Sequence, residues 1–522
     1  MSAAYCESAL AQPVDHFEPA RIAFAQMVEH LESVSALGMS HDELEVYIVE
    51  DGRELQRRLL QAHLDLRTAA EAPTRVVGSD DVERSEHRRS RRPLMSLVGE
   101  VSVRRLLYQA MGAAGLCPQD ATLNLPREKY SLGVRRRVAE EVAANSFDHT
   151  VDRVESTTGA HVPKRQVEQL ARRAAEDFET FYLERSVDEE PANALLILTF
   201  DGAGVPMRVE HLRDSTRKAA EDERAESKPR LKRPSAKKAS KKQKRNRKRM
   251  AQVAAIYAVA PYMRSAQDVI RQLRGVQDVD VRARRPKPVN KKVYAGIVED
   301  AREVIEARFC EAAQRDPDGL RTWVVLVDGD EHQLRCVQQA AEATGKDIVI
   351  VLDVMHVLGY LWRAAHCFHK PGSKQAESWV IERLRMLLTG VSASDVAAGM
   401  RRSATRKQLA RRKPIDKCAT YLCNNRDYLR YADALAHGFP IATGVIEGAC
   451  RYIVRDRMDK TGARWSVQGA EAVLRLRALR ANGDFDDYWS LHTATEYRVN
   501  HAASYADDRV PNPIPSPLRL VK

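Results

Sequence analysis

No apolar run in the 522 residues approaches the roughly 18 to 20 needed to cross a bilayer, so the sequence predicts no membrane span. The first residues, MSAAYCESALAQPVDHFEP, lack a basic stretch followed by an apolar one, and no secretory signal is expected. Cysteine is sparse and scattered. There are eight, the closest pair being Cys418 and Cys423, which is neither a zinc pattern nor a disulfide framework. A reduced, cytoplasmic setting is the expectation. One stretch lacks acid altogether. Residues 228–249, KPRLKRPSAKKASKKQKRNRKR, hold 13 Lys or Arg and no Asp or Glu, and without them the net charge of +12 drops to about −1. A cationic block this dense favours a polyanion, most often nucleic acid, through phosphate contacts and counterion release. The alternative is a solvated loop with no partner.

What is present suggests roughly two to four domains. Apolar residues at spacings of three and four over 15–72 predict two or three helices. Residues 73–92 read as a polar linker. "LMSLVGEVSVRRLLYQ" alternates around Val98, Val101 and Val103 and predicts a short β-hairpin. From residue 134 three helices are expected, with breaks at Asn145-Ser146 and over Thr157–Val162, the third opening at Lys164, Arg165 and Gln166 after Pro163. This is a helix-turn-helix candidate, with an ordinary helical bundle as the other reading.

The middle of the chain alternates strands and helices. Strands are predicted over 194–200, 250–260, 322–327 and 347–352, and helices over about 290–314 and 331–344. Continuous apolar strands imply a sheet covered on both faces, an α/β class. Residues 357–436 read as wholly helical, 441–465 as a further helix carrying Glu447, and the Pro-rich tail as unstructured. Three strands run into aspartates: Asp201, Asp328 and Asp353, with His356 one turn beyond the last. Ions that assist phosphoryl transfer need hard oxygen ligands held about 4 Å apart, and strand ends in α/β sheets are where such ligands sit. A lone Asp-Gly after a strand is also a turn signal. The set of three, with Glu447 among small and apolar residues, is more specific.

The fingerprints "TFDGAGVPM", "WVVLVDGDEHQL", "VLDVMHVLGYLW", "YLRY", "PIATGVIEGACR" and "DRMDKTGARWS", in this order over about 195–480, resemble the DDE transposases of bacterial insertion sequences, of the Mutator-like group. That resemblance implies an RNase H-like mixed sheet of order 3-2-1-4-5, interrupted by an all-helical insertion and preceded by a mainly helical DNA-binding region. The implied domains are an N-terminal helical region (1–75), a small hairpin region (93–125), a helix-turn-helix domain (126–190), a first core part (191–356) with a basic loop (211–249), the insertion (357–440), a second core part (441–500) and a tail (501–522). Related proteins often carry a zinc knuckle in the hairpin region. Here "YQAMGAAGLCPQD" keeps only Cys117, so no structural zinc is expected.

By the same resemblance Asp201, Asp328 and Glu447 are the metal-binding triad, for two Mg²⁺ or Mn²⁺ ions. Asp353 and His356 match an accessory D-x-x-H motif, looking into the site. Read without the resemblance, Asp353 is a helix N-cap and Glu447 an i, i+4 partner of Arg451. Asp330, Glu331 and Asp456 are fallback ligands. Lys164, Arg165 and Gln166 are the expected readers of terminal inverted repeats. Lys241, Lys242 and Arg245 of the loop, with Arg451, Arg455 and Arg464, are expected on DNA phosphates. Trp465 is either a base-stacking platform or core. The implied partners are double-stranded DNA and a second copy of the chain, in the bacterial nucleoid, and the implied activity is DNA cleavage and strand transfer. The rival functions are a non-catalytic DNA-binding protein descended from a transposase and a structure-specific nuclease on the same core.

Overall fold

The computed structural model describes residues 15–185, 189–191, 193–214, 216–218, 247–275, 285–410, 412–442, 444–460 and 462–514. They group into two units, Met1–Phe181 with Phe485–Lys522, and Tyr182–Asp484. The fold is mixed α and β, with a three-stranded and a five-stranded sheet. No helix among the described residues is long and apolar enough to cross a membrane.

In the first unit, Glu18–Glu32, Val34–Leu37 and His41–Ala70 are helical. Ser40 starts the long helix with a capping box to Glu43, which satisfies two of its otherwise orphaned N–H groups. The sheet is β1 (Glu86–Ser96), β2 (Gly99–Ala110) and β3 (Ala113–Leu116), antiparallel throughout. Strand β1 takes in residues read from sequence as linker. Its first half, EHRRSRR, is mostly exposed, and its backbone pairs with β2, which buries Val101 and Val103 in one apolar cluster and Leu106 and Tyr108, on its other face, in a second.

Helices Leu132–Ala144, Phe147–Thr158 and Lys164–Arg173 follow, packed on one another. The breaks fall where Ser131 and Ser146 cap, and where Gly159 takes φ +69 to close its helix. The third helix stops at Arg173, shorter than its spacing suggested, and Phe178–Glu184 forms a separate turn of helix.

In the second unit the sheet comprises β4 (Leu195–Pro206), β5 (Lys248–Val259), β6 (Val289–Gly296), β7 (Trp323–Val327) and β8 (Ile348–Leu352). Their order is β6-β5-β4-β7-β8. The first three are antiparallel neighbours, and β4-β7 and β7-β8 are parallel. Two expectations are corrected. Strand β6 occupies the start of what read as one helix over 290–314. The helix begins only at Ala301, behind Asp300, which forms a capping box with Glu303. Val293, Tyr294 and Ala295 are instead buried in the sheet against β5. Strand β4 also does not end at Asp201. It pairs with β5 as far as Pro206 opposite Lys248, so the Asp201-Gly202 pair lies within a strand and makes no turn.

Beyond β8 come Val354–Phe368, Lys374–Leu388, Ala393–Arg406, Lys413–Asn424 and Tyr431–Ala436, the helical stretch expected. Gly444–Ala449 then runs into a π-helical segment, Cys450–Arg455, which lies on β4. Helix Val467–Asn482 covers β6, and Ala301–Arg315 covers β5 and β4. Leu196, Ile197, Leu198, Ile256, Val324 and Val325 are fully buried, so the sheet forms the core of this unit.

Candidate functional site

The register of the parallel strands places the aspartates. Thr199 pairs with Leu326, and two residues further along Asp201 stands beside Asp328. Val327 pairs with Leu352, and one residue further Asp328 stands beside Asp353. The three occupy one level on adjacent strands, which lie about 4.8 Å apart.

Asp201 is half-buried. Its Oδ1 accepts the N–H of Gly202 at 2.6 Å, and its Oδ2 accepts the thiol of Cys450 at 3.3 Å. Burial pushes the Cys450 thiol up, and Asp201 beside it adds to this, so the sulfur keeps the proton it donates. Asp328 follows β7 directly. Its Oδ1 accepts the N–H of Asp330 at 2.9 Å, and its carbonyl accepts the Tyr421 hydroxyl at 2.7 Å. Gly329 turns the chain at φ +86, where a Cβ would stand 3.0 Å from the Asn425 amide, so the turn admits glycine alone. Burial raises the Asp328 pKa, and Asp201 contributes in the same direction. The Asp330 N–H and His356 pull it back. His356, in the first turn of the helix that Asp353 caps, acts on the Asp328 carboxyl electrostatically.

Asp353 is 5% exposed and caps helix Val354–Phe368, accepting the Met355 N–H at 2.7 Å. Its carboxylate helps burial raise the pKa values of Tyr257, Tyr421 and Tyr431. The N-cap role read from sequence is therefore present, and Asp353 is turned among tyrosines.

Glu447 is exposed on Gly444–Ala449 and acts on the same Cys450 thiol as Asp201. It makes no ion pair with Arg451 among the described residues. The chain turns π-helical at Cys450, and a wider turn shifts the i, i+4 alignment that pair requires. Among the described residues no three Asp, Glu, His or Cys side chains lie close enough to hold one ion together. The donors at hand, two neighbouring carboxylates with a third nearby, are hard oxygens of the kind Mg²⁺ and Mn²⁺ take. Of the fallback ligands, Asp330 is occupied as the N-cap of Glu331–Thr344, and Glu331 and Asp456 are exposed.

In the first unit Lys164 and Arg165 are exposed at the start of the third helix and Gln166 is half-buried. Lys164 is ion-paired to Asp148 at 2.7 Å. Arg451, Arg455 and Arg464 are exposed on the second unit. Lys241, Lys242 and Arg245 lie outside the described residues. Trp465 is only 4% exposed. Its indole donates to the Met458 carbonyl at 3.0 Å and the Arg457 guanidinium covers its ring, so it is core and offers no platform to a base. Cys450 and Tyr421 were not legible as site residues, because each contacts its aspartate across a long stretch of chain and neither sits in a spacing that marks it.

No family model matches the chain, and no curated protein matches it.

Proposed function

We propose that the chain is a metal-dependent DNA transposase of the DDE kind, built on an RNase H-like core. The observation that carries this reading is the pair Asp201 and Asp328, level with each other on adjacent parallel strands, with the Asp328 pKa raised by burial and by Asp201. Two carboxylates brought together against their charge form a site for a cation. The strand order β6-β5-β4-β7-β8 supports the RNase H-like assignment, being third-second-first-fourth-fifth in chain order within this sheet.

Divalent ions at these carboxylates would supply a polarised water or 3′-hydroxyl and a counter-charge for the leaving oxygen. The chain's own groups set the geometry. Cys450 aims Oδ2 of Asp201, Tyr421 and the Gly329 turn fix Asp328, and His356 offsets part of the carboxylate charge. Glu447, exposed on its short helix and acting on the same Cys450 thiol as Asp201, would be the third ligand. Lys164, Arg165 and Gln166 read terminal repeats, and Arg451, Arg455 and Arg464 contact phosphates near the chemistry. Two DNA ends must meet, so a dimer or larger assembly forms on DNA.

The test is cleavage and strand transfer on labelled DNA carrying the element's end, in Mg²⁺ or Mn²⁺, with DNA binding measured for every variant. Asp201→Ala, Asp328→Ala and Glu447→Ala should each lose activity by on the order of 10³-fold yet still bind. Asp353→Ala should keep residual activity. If Asp328→Ala stays active while Asp353→Ala is dead, the second ligand is Asp353. If the wild type binds the end but never cuts it, the reading fails in favour of a non-catalytic DNA-binding protein. Cleavage without strand transfer would favour a nuclease.

A further inference from the structure

A cavity of about 340 Å³ opens at the C-terminal end of β5, where Val259 pairs with Leu195 at the start of β4. Its walls come from Tyr257, Tyr262 and Arg264, from the segment Arg285–Pro288 that leads into β6, and from the loop that enters the Glu447 helix. That volume lies at the small end of the range of ligand pockets, roughly 300–1,000 Å³.

Its chemistry is one-sided. Among the described residues three cations line it, Arg264, Arg285 and Lys287, and no acidic residue does. Arg264 is the deepest of the three. Its Nη2 donates to the Phe439 carbonyl at a long 3.3 Å, and its Nε is buried with no hydrogen-bond partner. The nearest carboxylate to act on it is Asp268, whose Oδ2 is engaged by Ser265 in a capping box. Neither Arg285 nor Lys287 forms an ion pair among the described residues. A buried guanidinium N–H left unpaired costs more than a paired one returns, so the pocket lacks an anion. The rest of the lining is largely apolar, with the rings of Tyr257 and Tyr262 and with Pro286, Pro288 and Pro440, and the Arg264 guanidinium lies over the Tyr262 ring at 5.9 Å. Such faces suit a planar heterocycle.

We infer that this cavity binds a nucleoside monophosphate unit, with the phosphate on Arg264, Arg285 and Lys287 and the base against the tyrosines. The unit is either a free nucleotide or one nucleotide of a DNA strand. The inference rests on the nucleic-acid reading above, yet it is measured without metal and without catalysis, so the two can fail separately. Gly444 and Val445 also line the cavity, which places its occupant against the helix that carries Glu447.

The experiment is calorimetric titration of the full chain in EDTA with deoxyadenosine monophosphate, deoxyadenosine, inorganic phosphate and a 5′-phosphorylated tetranucleotide. The double variant Arg285→Ala/Lys287→Ala changes exposed residues and should fold normally. Lys417→Ala, on a distant exposed site, controls for loss of general positive charge. The monophosphate should bind the wild type and the control alike, and the double variant at least tenfold more weakly. Tyr262→Ala should weaken the monophosphate and leave inorganic phosphate unchanged. Tight binding of the mononucleotide itself assigns the pocket to a free nucleotide, and tight binding of the tetranucleotide with weak binding of the mononucleotide assigns it to a DNA strand. Equal affinity of wild type and double variant for every probe overturns the inference. Equal affinity for phosphate and monophosphate overturns the nucleoside part.

Discussion

Two clusters of buried charge in this chain are treated in opposite ways. Around Arg135, in the first unit, the guanidinium is answered on several sides. The guanidinium is 1% exposed and meets Glu128 at 2.5 Å, Glu496 at 2.8 Å and the His492 ring at 3.0 Å, and His492 in turn meets Asp177 at 2.6 Å. Burial alone would lower the Arg135 pKa, and the two glutamates outweigh it. Around Asp328, in the second unit, burial and the neighbouring Asp201 raise the carboxyl's pKa, and the Asp330 N–H and His356 offset this only in part. A satisfied network of this kind specifies a packing. An unbalanced one is unfavourable by itself and becomes favourable when something of opposite charge arrives. On the proposed reading, the contrast is between charge that holds a packing together and charge that a bound cation would balance.

The contrast breaks hardest at Arg135. Arg135→Met should cost about 3–5 kcal/mol, because it leaves Glu128 and Glu496 buried with no cation between them. Chemical denaturation of the full chain reads this, and a loss below about 1 kcal/mol would mean the network does not hold the unit together. Asp328→Asn should do the reverse. Asp328 carries a folded-state pKa above its unfolded value of about 3.9, so its ionised form opposes folding. That penalty is full above the folded pKa, shrinks as pH falls through it, and vanishes below about 3.9. Without divalent metal the variant should melt a few degrees higher than wild type near pH 7, and the gap should close on acidification. Mg²⁺ should then raise the melting temperature of the wild type and leave that of Asp328→Asn unmoved, since a ligand that binds only the folded state stabilises it by mass action. Metal-dependent cleavage should fall with pH over the same window, because proton and metal compete for one carboxylate. A variant less stable than wild type at pH 7 without metal would show that Asp328 is balanced after all.

How far the sequence revealed this site depends on the range of each contact. Strands β7 and β8 were legible because Val324–Val327 and Ile348–Leu352 are short apolar runs that stop at an aspartate, and the same stops mark Asp328 and Asp353. Strand β6 was hidden. Its Val293, Tyr294 and Ala295 run straight into the spacing of the following helix, and Lys292 falls inside the helix expected over 290–314. In the fold Lys292 is partly buried on Asp484 at 2.7 Å, a partner 192 residues away. Local pattern carries no trace of such a pairing. The Asp201-Gly202 turn signal was misleading for the same reason, since β5 pairs across it. Glu447 was legible as a residue type in an apolar context. The π-helical turn that follows it was not, because it arises where Cys450–Arg455 packs on β4.

The smallest test asks whether the helices beyond β8 take part in the site or only cover it. Tyr421 donates its hydroxyl to the Asp328 carbonyl at 2.7 Å and stacks on Tyr360 with ring centres 3.9 Å apart. Burial, with Asp328 and Tyr360 adding to it, holds the Tyr421 pKa well above its ordinary value, so the hydroxyl remains a donor across the working pH range. Tyr421→Phe keeps the stacked ring and removes one hydrogen bond, a loss of about 1 kcal/mol in stability. Because that bond fixes the turn bearing Asp328, metal affinity should also fall, by roughly tenfold, the lower end of what the loss of an outer partner costs a metal site. Mg²⁺ titration followed by melting temperature separates the two effects. A drop in stability with unchanged Mg²⁺ affinity would reduce Tyr421 to a packing residue and leave Asp328 held by β7 and Gly329 alone.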